Sequence, residues 1–276
     1  MSINETVLEM HFHHALMDLF RSTFGVGPAG RISFYKYSPQ KECFVGFDQA
    51  WVMTDVSDDQ LFNDLKDAAQ GNSYNLGTRY VGYFLQYKVV KRMIRHSKNN
   101  PPPVTSAEYG RAAVSNQANA NTGKSQHELL FNLCKNLGAL TYYACPAIFD
   151  KAELYRESVD LNKLTLVDLS SCPSEFKDNQ KHYIYFDFPS MKPTWCSEPV
   201  LGTSIDAIQM ARSLERRLNQ DQKIETDRLL SCLFYLNWQR RVQRGGRRVQ
   251  EYEPDKDLDS ALQALTVIRV DSRGRT

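Results

Sequence analysis

Four polar residues stand where the surrounding sequence demands apolar ones. Gln86 and Lys88 lie two apart in YFLQYKVV, and the two-residue period of a strand sends both side chains to one face. Lysine is among the residues least often buried, so a Gln-x-Lys pair inside an apolar strand is hard to explain by packing; the plain alternative is a strand with one wet face. Asp48 interrupts FVGFDQAWV directly after Gly46 and Phe47. A carboxylate buried there needs a cation, a set of donors or water, unless it caps a turn at the strand end. Glu9 falls between Leu16 and Phe20 on a helical wheel of about 100° per residue, in the middle of an apolar stripe. Taken alone, it also fits a surface carboxylate favoured by the helix dipole.

Together the four describe a chemistry. Two carboxylates and an amide oxygen are hard ligands suited to Mg²⁺ (or Mn²⁺), which binds oxygen and keeps several waters. A neighbouring lysine can orient or deprotonate an attacking water, or offset charge on a phosphate in the transition state. That combination suits phosphodiester hydrolysis.

These residues need elements to hold them. Residues 4–24 carry Val7, Leu8, Phe12, Leu16, Leu19 and Phe20 at helical spacing, with Gly25 as a stop. ISFYKY (32–37) and CFVGFDQAWVM (43–53) read as a strand pair across a Ser-Pro turn. An acidic insertion follows over 54–78, with Ser57 placed to cap a helix over DDQLFNDLKDAA. RYVGYFLQYKVV (79–90) is a long, central strand. From 96 to 125 the Asn-, Pro- and Ser-rich composition predicts a flexible linker, ordered only where EYGRAAV (108–114) can form a strand. QHELLFNLCKNLG (126–138) is an amphipathic helix ending at Gly138, and LTYYAC (140–145) is a buried strand stopped by Pro146. Beyond it the pattern gives a short helix over 150–158, strands near 164–169 and 182–188, and helices near 204–219 and 225–243. The fold class is α/β in the α+β sense, with a core over 1–146 and a C-terminal α/β extension over 147–276 that covers the sheet or meets a partner.

Composition excludes several classes. With 276 residues, 42% hydrophobic and 24% charged, the chain is that of a globular protein rather than a disordered one. No apolar run is long enough to cross a membrane, and the N-terminus lacks the pattern of a signal peptide. The six cysteines are far apart with no CxxC pair, which favours a reduced, cytoplasmic chain with buried thiols. His11, His13 and His14 cannot all face one way on a helix, so a histidine zinc site is disfavoured. GVGPAG (25–30) lacks the Lys-Ser/Thr of a phosphate-binding loop.

The pattern resembles the PD-(D/E)xK nuclease superfamily, and within it the restriction-endonuclease-like, Mrr-like proteins whose third motif carries Gln in place of Glu. The residues that carry the resemblance are Glu9 on a helix, Gly46-Phe47-Asp48 on a strand and Gln86-Tyr87-Lys88 on a strand. The resemblance covers about the first half of the chain and implies an αβββαβ core with a central mixed sheet flanked by helices. It implies that Asp48 and Gln86 hold the metal, that Glu9 supports it or a second metal, and that Lys88 assists the water. It further implies a Mg²⁺-dependent endonuclease acting on DNA in restriction or antiviral defence. The chain departs from the family in having no proline before Asp48 and in the 37 residues between Asp48 and Gln86, a length that the inserted helix accommodates. The uncharged Gln86 weakens metal binding, so the alternative is an inactive, nuclease-like module that binds nucleic acid or a partner protein. Gln126-His127-Glu128 stands where related nucleases project a polar residue, and it equally fits helix capping.

Charge by position is more informative than the net +2. Residues 79–98 hold six basic side chains and no acid, and Lys91, Arg92, Arg95 and Lys98 follow the Gln-x-Lys strand as candidate contacts to a phosphate backbone. Residues 211–250 hold ten basic side chains against four acids, including Arg240, Arg241, Arg244, Arg247 and Arg248. This second run suits a further contact or a solvated face. Cutting both strands of a duplex commonly takes two sites, which points to a homodimer or a partner subunit.

Overall fold

The computed structural model describes residues 3–25, 31–36, 58–70, 77–94, 108–117, 124–156, 158–178, 180–196, 199–244 and 264–271. Asp48 and the expected strand over 43–53, the capping Ser57, and Arg95 and Lys98 lie outside them. The architecture is mixed α/β, with five α-helices among the described residues and two sheets.

Helix α1 (Glu5–Thr23) starts where Asn4 caps the backbone N–H of Val7, and it buries the stripe Leu8, Phe12, Leu16, Met17 and Phe20. Strand β1 (Arg31–Lys36), helix α2 (Asp58–Ala69) and strand β2 (Thr78–Tyr87) follow. The chain then leaves the first sheet. Lys88 to Val90 cross to the short strand β3 (Lys91–Met93), which pairs with β4 (Tyr109–Ala113) in the second sheet. The strand expected over 79–90 is therefore present as β2 but stops at Tyr87, one residue short of Lys88. The expected linker holds β4, whose Gly110 and Ala112 pair with a later strand.

Helix α3 (Gln126–Leu137) is capped by Ser125 and closed by Gly138, whose φ of 65° is the left-handed conformation that glycine adopts without strain. It leads to β5 (Leu140–Pro146), which pairs in parallel with β2 and sets Gln86 opposite Tyr143. Strand β6 (Leu164–Asp168) continues the first sheet. Strands β7 (Tyr183–Asp187), β8 (Lys192–Cys196) and β9 (Val200–Leu201) extend the second. After β10 (Ser204–Ile205) come α4 (Ala207–Leu218), α5 (Gln222–Arg244) and the closing strand β11 (Leu265–Asp271).

The first sheet has the order β1-β11-β2-β5-β6-β10 and is mixed, with β2 and β5 parallel and the other pairs antiparallel. It takes strands from both sides of residue 146, and β11 lies between β1 and β2. The second sheet, β3-β4-β7-β8-β9, is antiparallel throughout. Alternation along β2 separates two cores. Val81, Tyr83, Leu85 and Tyr87 pack with α1 and α4, whereas Tyr80 and Phe84 pack with α3, α5 and the second sheet.

Helix α5 approaches β2 closely, because a Cβ on Gly82 would lie 2.3 Å from Leu229 Cδ2. Gly82→Ala is accordingly expected to lower stability by about 1–3 kcal/mol through overpacking. Chemical denaturation reads this, and an unchanged midpoint with unchanged slope would contradict the packing of α5 on β2.

Candidate functional site

Two helix N-termini meet at the carboxyl end of β2. Glu5 is the first residue of α1, and Gln126 is the first residue of α3. Between them lies the Lys88 side chain, only 2% exposed. Its ammonium donates to Glu5 Oε1 at 3.2 Å, to Ser115 Oγ at 3.2 Å and to Gln126 Oε1 at 3.3 Å. An ammonium has three N–H donors and no acceptor, so these three bonds match its capacity. Its charge also sits 5.5 Å from the centre of the Tyr143 ring, a favourable cation–π placement.

The donor-only character of Lys88 orients its neighbours. Gln126 must turn its oxygen to the ammonium, which leaves Nε2 to donate to Gln86 Oε1 at 2.7 Å. Gln86 in turn donates through Nε2 to Glu5 Oε2 at 3.0 Å. Glu5, Lys88, Gln126 and Gln86 thus form a closed ring of hydrogen bonds. The ring contains one carboxylate and one ammonium, so burying it does not strand a lone charge. Ser115 ties the ring to the backbone a second time, because its carbonyl accepts from the His127 N–H at 3.1 Å.

Behind the ring lies a buried aromatic layer. His127 is fully buried, with Nδ1 2.8 Å from the Tyr143 hydroxyl and Nε2 3.1 Å from the Ser174 carbonyl. A carbonyl only accepts, so Nε2 carries the proton and Nδ1 accepts from Tyr143. The His127 ring stacks on Phe176, which stacks on His182 at 4.0 Å. Burial pushes the His127 pKa down to about 4, with His182 and Lys88 acting in the same direction and the Ser174 carbonyl and Glu175 opposing.

The carboxylate joined to Gln86 and Lys88 is that of Glu5. Glu9 is half-buried one turn further along α1, with its Cβ about 5–6 Å from that of Glu5 by helix geometry. Asp48 lies outside the described residues. Lys91 and Arg92 are exposed on β3, an edge strand, where charge also guards against edge-to-edge pairing; Arg92 pairs with Glu108. Glu5 had one sequence signal, an acidic residue directly after the capping Asn4. Ser115 had none, since its role depends on how β4 returns past α3.

The ring is made of hard oxygen donors, and amide and carboxylate oxygens keep a second lone pair after one hydrogen bond. Glu5 is 43% exposed at its side chain and so faces solvent. The donors therefore suit Mg²⁺ in kind. They are short of charge: among the described residues no group of three or more His, Cys, Asp or Glu side chains forms a metal cluster. Among the described residues Cys134, Cys145, Cys172, Cys196 and Cys232 are free thiols, and no helix is long and apolar enough to cross a membrane. No family model, curated protein or solved structure matches the chain.

The buried His127 generates a pH dependence. Its folded pKa of about 4 lies below the unfolded value of 6.5, so its contribution to stability is present above pH 6.5 and is lost as the pH falls towards 4, by roughly 3 kcal/mol. His13, also lowered to about 4 by burial and by His14, adds a slope of the same sign. The readout is therefore the difference between wild type and His127→Gln in denaturation midpoints across this range. Parallel profiles would contradict a buried neutral His127.

Proposed function

We propose that the chain is a metal-dependent endonuclease of restriction-endonuclease-like fold that hydrolyses DNA phosphodiester bonds, with Lys88 at its reacting centre. The observation that carries this reading is the buried Lys88 ammonium, held by an α1 carboxylate and by Gln126 of α3 at the end of the Gln-x-Lys strand. A buried ammonium needs acceptors whatever its role; what favours the reading is that one of the three, the Glu5 carboxylate, is itself open to solvent and so to an incoming group. The chain order supports the reading as well: α1 packs on one face of the sheet, α3 on the other, and α3 links the parallel strands β2 and β5. By analogy with the family alone, the biological role would be restriction or antiviral defence.

Asp48, Gln86 and an α1 carboxylate, Glu5 or Glu9, would hold Mg²⁺ or Mn²⁺, which supplies polarisation of the phosphoryl oxygen and a more acidic bound water. The chain's own residues do the positioning. Of Lys88's acceptors, Glu5 and Ser115 are open to solvent and Gln126 is buried, so a phosphate oxygen can replace Glu5 while Gln126 keeps the ammonium aimed. As the water oxygen bonds to phosphorus and the bond to the leaving sugar oxygen breaks, the fixed ammonium offsets the charge that develops on the phosphoryl oxygens. Gln86 stays oriented through Gln126. A homodimer or a partner subunit would supply the second site for the opposite strand.

A second reading draws on the same ring. Its groups satisfy one another and contain a single carboxylate, which is what a nuclease-like module without catalysis would show while it binds nucleic acid or a partner protein. Plasmid cleavage in Mg²⁺ or Mn²⁺ separates the two. Wild type is expected to cut, and Asp48→Ala and Lys88→Ala are each expected to lose at least about 100-fold, the scale for removal of one group that stabilises transition-state charge. Equal rates in all three proteins would overturn the assignment, and salt-dependent binding without any cutting would favour the second reading.

A further inference from the structure

The second sheet has two faces. One packs on the main core through Ala112, Ile184, Phe186 and Trp195, and the other carries two cations side by side. Lys91 on β3 stands directly opposite Arg111 on β4 in the antiparallel register, so both side chains leave the same face with their Cβ atoms about 5 Å apart. Among the described residues neither is paired with a carboxylate. The neighbouring cation differs: Arg92, which alternation sends the other way, is paired with Glu108. Like charges directly opposite in a ladder are destabilising. Guarding the edge of β3 takes one charge and does not account for the second.

The fold holds Arg111 in this position. Its guanidinium lies over the Tyr183 ring, 4.7 Å from the centroid, a cation–π contact. Tyr185 is directly opposite it in β7; burial raises the pKa of that hydroxyl, and the Arg111 guanidinium opposes the rise. Tyr185 in turn stacks on Tyr109 with ring centres 5.8 Å apart, and Met93, Tyr183 and Cys196 pack around the pair. Arg111 is half-buried and Lys91 exposed. Both are close along the chain to the ring of hydrogen bonds around Lys88. Lys91 follows Lys88 by three residues and Arg111 precedes Ser115 by four, so the Cα separations are at most about 11 Å and about 14 Å.

We propose that Lys91 and Arg111 together hold a phosphate of the nucleic acid backbone, next along the strand from the group at Lys88. The inference rests on the nuclease reading and deepens it by naming the path the substrate takes away from the site, across β3 and β4. Two observations select this occupant. The unpaired like charges call for an anion, and the oxygens of one phosphate can accept from an ammonium and a guanidinium at once. β3 and β4 both lead to the ring around Lys88, so an anion on them is continuous with a chain bound there. A second copy of the protein docked through the same row would set Lys91 and Arg111 against their own counterparts and meet like-charge repulsion.

The test is fluorescence anisotropy with the full chain and a short labelled DNA duplex in a metal-chelating buffer, across a salt series. Binding is then read whether or not the protein cuts. Lys91→Gln combined with Arg111→Gln is expected to weaken binding roughly 3- to 30-fold and to reduce the logarithmic salt slope by about 1 to 2. Lys91→Glu gives the sharper contrast, because it turns the like-charge pair into an ion pair across the strands. Its thermal midpoint is expected to equal or exceed that of wild type while its DNA binding falls. Wild-type affinity and salt slope in the double variant overturn the proposal, and so does a Lys91→Glu protein less stable than wild type. Competition by polyglutamate as strong as by unlabelled DNA overturns it in favour of an acidic protein partner. Binding that depends on Lys91 and Arg111 in a protein that cuts nothing would support this row while refuting the nuclease reading. Undiminished binding and cleavage in the double variant would refute the row alone.

Discussion

One buried cation organises this end of the molecule. An ammonium with no acceptor capacity must find as many oxygens as it has N–H groups, and taking it out of water without them would cost several kcal/mol. Lys88 finds them on three separate segments: the first turn of α1, the segment after β4 and the first turn of α3. Each of those segments is thereby fixed to the end of β2. The amide orientations of Gln126 and Gln86 then follow from the lysine, because each can satisfy its neighbour in only one sense. A polar ring of this kind contributes more to uniqueness than to bulk stability.

The surrounding fold makes such a ring possible. Lys88 lies where the chain passes from one sheet to the other, so its side chain is covered by α3 on one side and by the second sheet's return segment on another. Tyr143, opposite Gln86 in the parallel register, supplies a ring face to the ammonium and a hydroxyl to His127. The layer of His127, Phe176 and His182 backs α3, and burial keeps the His127 ring, the one hydrogen-bonded to Tyr143, uncharged near neutral pH. Long-range strand pairing reinforces this arrangement. β11, from the far end of the chain, pairs with β2 along seven residues from Thr78 to Phe84, which makes the strand that carries Gln86 central.

Much of this was legible in the sequence. The apolar periodicity of α1, the Gly138 stop of α3 and the place of Gln86 in a strand are local signals, and they lie where the sequence placed them; the α3 cap, Ser125, was not read, and Lys88 falls just past the end of β2. The end of β2 at Tyr87 was not legible, since a strand that changes sheet keeps the same β-branched and aromatic composition. β8 and β11 went unread for a related reason: KPTWC carries a proline that demotes a strand, and LTVIRVD follows a long polar stretch. The choice between Glu5 and Glu9 also lies beyond periodicity. The two are four apart on one helix face, and only the packing of α1 along β2, which sets its first turn at the strand's carboxyl end, selects the first residue. Gln126 was visible as a candidate, but capping accounted for it equally well until its amide was placed between Gln86 and Lys88.

The central claim is that Lys88 is held beside a metal and phosphate site, and its ammonium can report on that directly. Lysine side-chain ¹⁵N NMR with substoichiometric Mn²⁺ places both groups in one measurement. The account predicts a slowly exchanging Lys88 ammonium resonance that Mn²⁺ broadens in wild type and leaves sharp in Asp48→Asn. A Lys88 resonance that stays sharp in wild type at saturating Mn²⁺ would contradict it.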